Sequence, residues 1–351
     1  MNLAFDTVIT ADAQTRAGLF AATAQRLGTT PRNVEKDFWV CWTLDALFNG
    51  LPAGAPRLLF KGGTSLSKGF GLIRRFSEDI DVTVFRDDLG VPASVQDLQA
   101  MSGRQRGLML DRIATAGAAY IQGDLRQELW ALVTEMARRT GATLADFGLD
   151  PDPNEAQTLL LTYPTVTPPD GYVLNTVKIE SGAKSALDPS SVRIIKPYVD
   201  DDTPDLDLSV NGVVVVDATR TFWDKIIILH GLRRWFDIRQ ELRGGGQRVS
   251  RHYYDVHQLM QTEVAGGALA DQALGTDAIA HARMFFNRPD FDLASAVAPT
   301  FALSPDGAMY DDLRRDYVQM ALMIFGTPPA FEEVLASIVA LEAQLNAVPA
   351  T

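Results

Sequence analysis

Two carboxylates stand two residues apart in the stretch RFSEDIDVTVF, at Asp79 and Asp81. The apolar residues Ile80 and Val82 alternate with them, which predicts a β-strand with both carboxylates on one face. Carboxylate oxygens are ligands that Mg²⁺ prefers, and Mg²⁺ bound in this way also coordinates the phosphates of a substrate. The pair therefore indicates metal-assisted chemistry on a phosphate, and the alternative interpretation is the solvated face of an edge strand.

A glycine turn precedes these carboxylates. A short apolar run at 58–60 leads into Gly62 and Gly63, which let the main chain bend and approach a ligand without Cβ interference. Thr64 and Ser65 follow and can cap a helix whose first N–H groups suit a phosphate. Each motif alone is common. Their succession is far more specific for a phosphate-handling site: a strand, a glycine turn, a helix and a strand that carries two carboxylates. They indicate phosphoryl or nucleotidyl transfer, whereas the P-loop and G-x-G-x-x-G motifs are absent.

A later strand supplies further charges. Alternation in the stretch VLNTVKIES at 173–181 puts Lys178 and Glu180 on the same face. Glu180 would complete a three-carboxylate metal site with Asp79 and Asp81, and Lys178 would neutralise a triphosphate. A cross-strand pair of this lysine and glutamate on an exposed sheet face is the alternative.

Three more residues are candidates. Asp217 ends a valine run and competes with Glu180 for the role of third carboxylate. Lys184 is a second candidate for a phosphate contact. Lys225 stands one turn into a predicted helix, from which a lysine can reach a γ-phosphate.

These stretches resemble the AbiEii/AbiGii toxin nucleotidyltransferases, which belong to the polymerase-β-like nucleotidyltransferase superfamily. The resemblance rests on KGGTSLSK at 61–68 and RFSEDID at 75–81, and it extends to VEKDFW at 34–39, FWDK at 222–225 and RHYYD at 251–255. It implies an α+β fold: a polymerase-β-like nucleotidyltransferase core with a mixed sheet, a helical insertion and a helical C-terminal part.

The resemblance also implies a function. The protein would be an Mg²⁺-dependent toxin, with Mn²⁺ as the alternative ion, that transfers a nucleotide from an NTP to RNA, with tRNA as the leading acceptor. An antitoxin encoded alongside would be its partner, without need of a stable complex. The catalytic residues would be Asp79, Asp81, Glu180, Lys178 and Lys225, of which the three acids are metal ligands. The nucleotide-binding residues would be Lys61, Gly62, Gly63, Thr64, Ser65, Lys68, Ser77 and Lys184.

Two other functions stay open. An enzyme with the same core could nucleotidylate a protein or a small molecule of the antibiotic type. A nucleotide-binding regulator without catalysis is the other alternative, against which the intact carboxylates and glycine turn argue.

Composition limits the partners. The chain has 351 residues, 46% hydrophobic, which suffice for a large core. A net charge of −12 argues against indiscriminate coating of nucleic acid, because such binding depends on phosphate neutralisation. An RNA acceptor would need a local basic patch. The segment 220–251 is a candidate, with eight basic and three acidic residues, and a solvated helix surface is the alternative.

The chain pattern predicts location and domains. No apolar run approaches the ~20 residues of a membrane span, and the N-terminus lacks the pattern of a signal peptide, which together predict a cytoplasmic protein without a membrane partner. The single cysteine and the four histidines have no ligand spacing. We expect a nucleotidyltransferase core with N-terminal helices and a helical insertion at 1–218, and a helical C-terminal domain at 219–351.

Overall fold

The computed structural model describes residues 1–168, 173–246 and 248–347. Its chain forms two compact units. The first comprises Met1–Gly71, Phe76–Ala93 and Met101–Val216. The second comprises Leu72–Arg75, Ser94–Ala100 and the chain from Asp217 onward.

A seven-stranded mixed sheet is the centre of the first unit. Its strands are β1 (Leu58–Lys61), β2 (Asp79–Val84), β3 (Gly148–Pro151), β4 (Thr158–Thr162), β5 (Thr176–Glu180), β6 (Ser190–Ile195) and β7 (Val210–Val216). They lie in the order β3-β4-β5-β2-β1-β7-β6. Strand β2 runs antiparallel to β1 and parallel to β5, so it has a neighbour on each side. This mixed sheet with its many helices confirms the predicted α+β fold.

Helices provide the remaining layers of the first unit. They are α1 (Ala4–Thr10), α2 (Ala13–Leu27), α3 (Pro31–Asp45), α4 (Gly62–Lys68), α6 (Gly103–Tyr120) and α7 (Arg126–Thr140), while α5 (Val95–Ala100) belongs to the second unit. Helices α6 and α7 are joined by a π-helical turn at Ile121–Leu125 and form the helical insertion.

Helix α3 is buried along almost its whole length. Thr30 caps it by accepting a hydrogen bond from the main-chain N–H of Asn33, and Pro31 occupies its first turn. Every residue from 32 to 45 is buried. A helix that is enclosed on all sides lies in the middle of a core, and Trp39 of α3 stacks on Tyr163 with ring centroids 5.3 Å apart.

The second unit is helical. Its larger helices are α8 (Ala218–Arg239), α9 (Ser250–Met260), α10 (Glu263–Ala270), α11 (Gln272–Phe285), α12 (Gly307–Met320) and α13 (Phe331–Asn346). Val334, Ile338 and Leu341 of α13 are fully buried, as their helical spacing predicts. None of the helices in the described ranges has the length and apolarity that crossing a lipid bilayer requires.

Candidate active site

Strand β2 presents two carboxylates on one face. Ile80 and Val82 are fully buried, whereas Asp79 and Asp81 are half-buried on the opposite side of the strand. The alternation arises because successive side chains of a strand point to opposite faces of the sheet. The two acids therefore share one partly open surface.

The strand register brings more charges into line with this pair. Lys61 of β1 lies opposite Asp81. On the other side, β5 places Glu180 opposite Asp81 and Lys178 opposite Asp79. Lys61, Asp81 and Glu180 thus form one row across three adjacent strands, and side chains directly opposite in a ladder are close neighbours.

Lysines neutralise part of this row. Lys61 Nζ lies 3.7 Å from Asp81 Oδ1. Lys178 Nζ lies 2.7 Å from Glu180 Oε1 and 3.2 Å from Glu155 Oε2. Glu155 stands in the β3–β4 loop and accepts a hydrogen bond of 3.1 Å from the hydroxyl of Thr158. Sequence analysis missed Glu155, because an acid in a polar loop carries no periodic signal.

Burial and the neighbouring acids both raise the pKa of Asp79. Burial is the largest cause that raises the pKa of Asp79, to about 6, and the neighbouring charges of Glu78 and Glu180 raise it further. Lys36 acts in the opposite direction. A cation at this position would relieve both the desolvation and the repulsion between carboxylates.

These residues fit a divalent cation that is shared with a substrate. Within the described ranges, no three His, Cys, Asp or Glu side chains converge tightly enough to enclose a metal by themselves. Mg²⁺ is held by one or two carboxylates together with water and substrate phosphates, rather than by an all-protein cage. Asp79 and Asp81, with Glu180 opposite, supply oxygen donors of that kind.

The glycine turn lies directly against this surface. Gly62 opens helix α4 with a φ of +79°, a conformation that favours glycine. A Cβ atom at Gly62 would lie 2.0 Å from Asp81 Oδ2. Gly62 is therefore needed both for the bend of the main chain and for the space that the Asp81 carboxylate occupies.

We expect Gly62→Ala to lower the activity of this site at least about tenfold and the free energy of unfolding by about 1–3 kcal/mol, because Asp81 must move and the left-handed backbone is strained. Gly71→Ala is the matched control, since its φ is +64° and nothing lies within 4 Å of the added Cβ. Turnover kinetics and urea denaturation check both variants. Equal activity of the two variants would contradict the steric role of Gly62.

The hydroxyls beside the turn serve its internal structure. Thr64 Oγ1 lies 2.7 Å from Ser77 Oγ and donates to the main-chain oxygen of Asp79. Ser65 Oγ donates to the main-chain oxygen of Gly62 at 2.9 Å. These bonds fasten the start of α4 to the start of β2. Phosphate contacts from α4 would then come from its first main-chain N–H groups, which have no acceptor within the helix.

The other predicted lysines differ in their surroundings. The side chain of Lys68 is only 4% exposed, pairs with Asp37 and lies 3.3 Å from the ring centroid of Tyr198. Lys184 lies in the loop after β5 and is half-buried. The buried pair lets Lys68 hold the end of α4, and a phosphate contact from Lys68 stays a prediction.

Lys225 and Asp217 both belong to the second unit, where Asp217 is the N-cap residue of α8. Lys225 Nζ donates to Asp255 at 2.8 Å. The buried Asp255 also accepts two bonds from Arg75, at 2.7 and 2.9 Å. Burial alone would raise the pKa of Asp255, but the two cations hold it well below its usual range. Lys225 is thus part of a buried ion network.

Two histidines of the second unit accept hydrogen bonds and must be neutral. The main-chain N–H of Ala302 donates to His230 Nδ1 at 3.2 Å, and Lys225 Nζ donates to His252 Nδ1 at 3.3 Å. Burial is the largest cause that lowers the pKa of both histidines, and His252 lies well below the ordinary value.

Stability should consequently fall in mild acid. The unfolded chain takes up protons on these histidines below about pH 6.5, whereas the lowered pKa values oppose proton uptake in the folded chain, so the free energy of unfolding falls by up to about 1.4 kcal/mol per histidine at pH 5.5. Urea denaturation at pH 7.5 and 5.5 measures the loss. His252→Asn keeps an acceptor but cannot titrate, so it should reduce the difference by one histidine's share. An equal pH dependence of the wild type and His252→Asn would show that His252 takes up a proton as readily in the folded protein as in the unfolded chain.

The chain matches one protein family and is similar in fold to a solved structure. The family described as "Nucleotidyl transferase AbiEii toxin, Type IV TA system" matches residues 45–337. No curated protein matches the chain. Among solved structures, MenT4, the nucleotidyltransferase toxin Rv2826c from Mycobacterium tuberculosis H37Rv, is similar in fold, with a TM-score of 0.51. The two sequences are 16% identical, and the match covers 95% of this chain and 90% of that chain. Because the family match spans most of the sequence, the chain belongs to the AbiEii family of type IV toxin–antitoxin toxins and is a nucleotidyltransferase.

Proposed function

We propose that this enzyme transfers a nucleotide from an NTP to an RNA acceptor, with tRNA as the leading candidate, in the cytoplasm and with Mg²⁺ as its metal. The observation that carries the proposal is the row of Lys61, Asp81 and Glu180 beside Asp79, placed against the turn at Gly62. As a toxin of a type IV system it would be countered by an antitoxin, which need not bind it stably.

Each residue of this site has a proposed task. Asp79 and Asp81 would hold the metal, with Glu180 as the third carboxylate, because Glu180 is the acid that faces Asp81 across the sheet. The metal would supply charge neutralisation of the triphosphate and activation of the acceptor hydroxyl. Lys178 would leave Glu180 and contact the departing pyrophosphate. Lys61, whose Nζ lies 3.7 Å from Asp81 Oδ1, would balance part of the negative charge at the site.

Phosphate contacts would come from the start of α4. Gly62 and Gly63 would let the main chain approach the triphosphate, and the first N–H groups of the helix would donate to it. Thr64, Ser65 and Ser77 would support these contacts by holding the turn together. Lys184, in the loop that follows β5, is the proposed outer phosphate contact.

The charges of the segment 220–251 affect which class of acceptor the enzyme can bind. Of the arginines in 220–251, four pair with aspartates inside the second unit: Arg220, Arg233, Arg234 and Arg239. The segment is therefore less basic as a surface than it is as a sequence. A protein or small-molecule acceptor gains support from this pairing and from the net charge of −12, and it is our second candidate.

Label transfer separates the candidates. Each α-³²P NTP is incubated with Mg²⁺ and the purified protein in the presence of tRNA, a protein extract freed of RNA, or aminoglycosides. We expect nuclease-sensitive label in tRNA, which Asp79→Ala abolishes. Label only in protein or in the small molecule would overturn the RNA acceptor and establish the second candidate.

A further inference from the structure

One turn of helix α3 carries three consecutive charged residues that are all buried. Glu35 is 1% exposed, and Lys36 and Asp37 are each 3% exposed. Consecutive residues of a helix point about 100° apart, so three in a row normally include at least one in water. Such side chains are almost never fully buried unless they are paired. Each of the three must therefore have a specific partner.

Two of the partners lie close to the elements that carry the site. Lys36 Nζ is 2.6 Å from Glu78 Oε2, and both side chains are less than 8% exposed. Asp37 pairs with Lys68, the last residue of α4. Asp37 also accepts a hydrogen bond of 2.7 Å from the main-chain N–H of Tyr198.

The third charge holds the chain between β4 and β5. Glu35 accepts the main-chain N–H groups of Val166 at 2.7 Å and Thr167 at 3.3 Å. Its carboxylate also accepts the hydroxyl of Thr165 at 2.5 Å. One helical turn thus contacts the end of α4, the residue before β2 and the segment after β4.

The contact before β2 has the most direct consequence. Glu78 immediately precedes Asp79, and residues 69–78 contain no helix or strand, only an isolated bridge at Arg75. Such a segment has few ladder hydrogen bonds to fix it, so side-chain contacts decide where the strand begins. Contacts of this kind within the first unit include the ion pair of Lys36 with Glu78 and the bonds of Thr64 to Ser77 and Asp79.

The energetics of the ion pair between Lys36 and Glu78 favour a role in positioning Glu78 over a role in stability. A buried ion pair stabilises a fold little compared with apolar residues of the same volume, because desolvation offsets the attraction. Its geometry is nevertheless specific, since the short contact restricts the directions of both chains. A pair of this kind is well suited to setting the position of Glu78, and hence of the next residue.

We propose that Lys36 is a positioning residue for nucleotidyl transfer. Its ion pair with Glu78 sets the start of β2 and thereby the placement of the Asp79 and Asp81 carboxylates. The inference rests on the proposed function, because it takes these two acids as the metal-binding pair. Lys36 itself does not contact the substrate.

The test compares variants of Lys36 in the full chain. Lys36→Met removes the ammonium and keeps most of the side-chain volume. We expect a fall in kcat of about 10–100-fold and a similar weakening of Mn²⁺ binding in the presence of a non-hydrolysable NTP, measured by electron paramagnetic resonance. Lys36→Arg, which can keep the pair, should retain at least about a third of both quantities.

Control variants separate positioning from stability. Arg139→Met breaks the pair that joins α7 to Asp6 of α1, so it should lower Tm and leave kcat and Mn²⁺ binding unchanged. If Lys36→Met alone does not fold, Lys36→Met with Glu78→Gln removes the unpaired buried charge and is measured in the same way.

The outcomes are distinguishable. If Lys36→Met folds and its kcat and Mn²⁺ affinity equal those of the wild type, the inference is overturned and the proposed function stands. Loss of both quantities in folded Lys36→Arg would also overturn it, because the ammonium itself would then be required. Absence of label transfer by the wild type would defeat the proposed function alone, since Mn²⁺ binding still reports on Lys36.

Discussion

Asp81→Asn should lower the rate of nucleotidyl transfer at least about 10³-fold, because the substitution keeps the shape of the side chain and removes the charge that would bind the metal. Asp81 has a central place in the site: Lys61 and Glu180 lie opposite it on the two neighbouring strands, and Gly62 leaves room for its carboxylate. The fold should tolerate the change, since the neighbouring Ile80 and Val82 remain packed.

Single-turnover label transfer at saturating NTP measures this effect. Asp87→Asn is the matched control, because Asp87 is exposed in the loop just after β2 and its loss should leave the rate within about twofold. The Tm of both variants should stay close to that of the wild type. Full activity of Asp81→Asn would exclude this carboxylate from metal binding.

Asp255→Asn should reduce the free energy of unfolding by about 3–5 kcal/mol, because it leaves two buried cations without their counter-charge. Arg75 and Lys225 both donate to this carboxylate, and its side chain is fully buried. Their bonds join the segment Leu72–Arg75 to helices α8 and α9 within the second unit.

Urea denaturation with constant m-value tests this expectation. Asp290→Asn breaks a surface pair with Arg239, whose side chain is 53% exposed, and should cost less than about 1 kcal/mol. A similar small loss in Asp255→Asn would mean that the buried network contributes little and that Lys225 is available for another role. A large loss would assign Lys225 to the stability of the helical unit.

Local pattern was enough to predict the parts of the site that lie within one element. The alternation of Asp79 and Asp81 with apolar residues depends only on the period of a strand, and the bend at Gly62 depends only on the conformational freedom of glycine. The helical C-terminal part followed in the same way from the spacing of apolar residues. These features need no knowledge of which elements are neighbours.

Neighbour relations required the tertiary structure. Sequence alone favoured Glu180 as the third carboxylate and kept Asp217 as its competitor, and the pairing of β2 with β5 puts Glu180 opposite Asp81. The choice depends on a contact between residues about a hundred positions apart, which no local periodicity encodes. Strand β3 at Gly148–Pro151 likewise forms by pairing with β4, a relation that the local pattern does not show.

The burial of charged side chains also depends on the tertiary structure. The local pattern gives no sign that Lys36, Asp37 and Lys68 are buried, because charged residues are mostly exposed. Their burial follows from partners brought close by the fold: Glu78 for Lys36, and Lys68 itself for Asp37. The sequence by itself determined the type of chemistry and the strand that carries it, while the fold decided which charges remain at the surface to perform it, because desolvation and pairing are properties of packed neighbours.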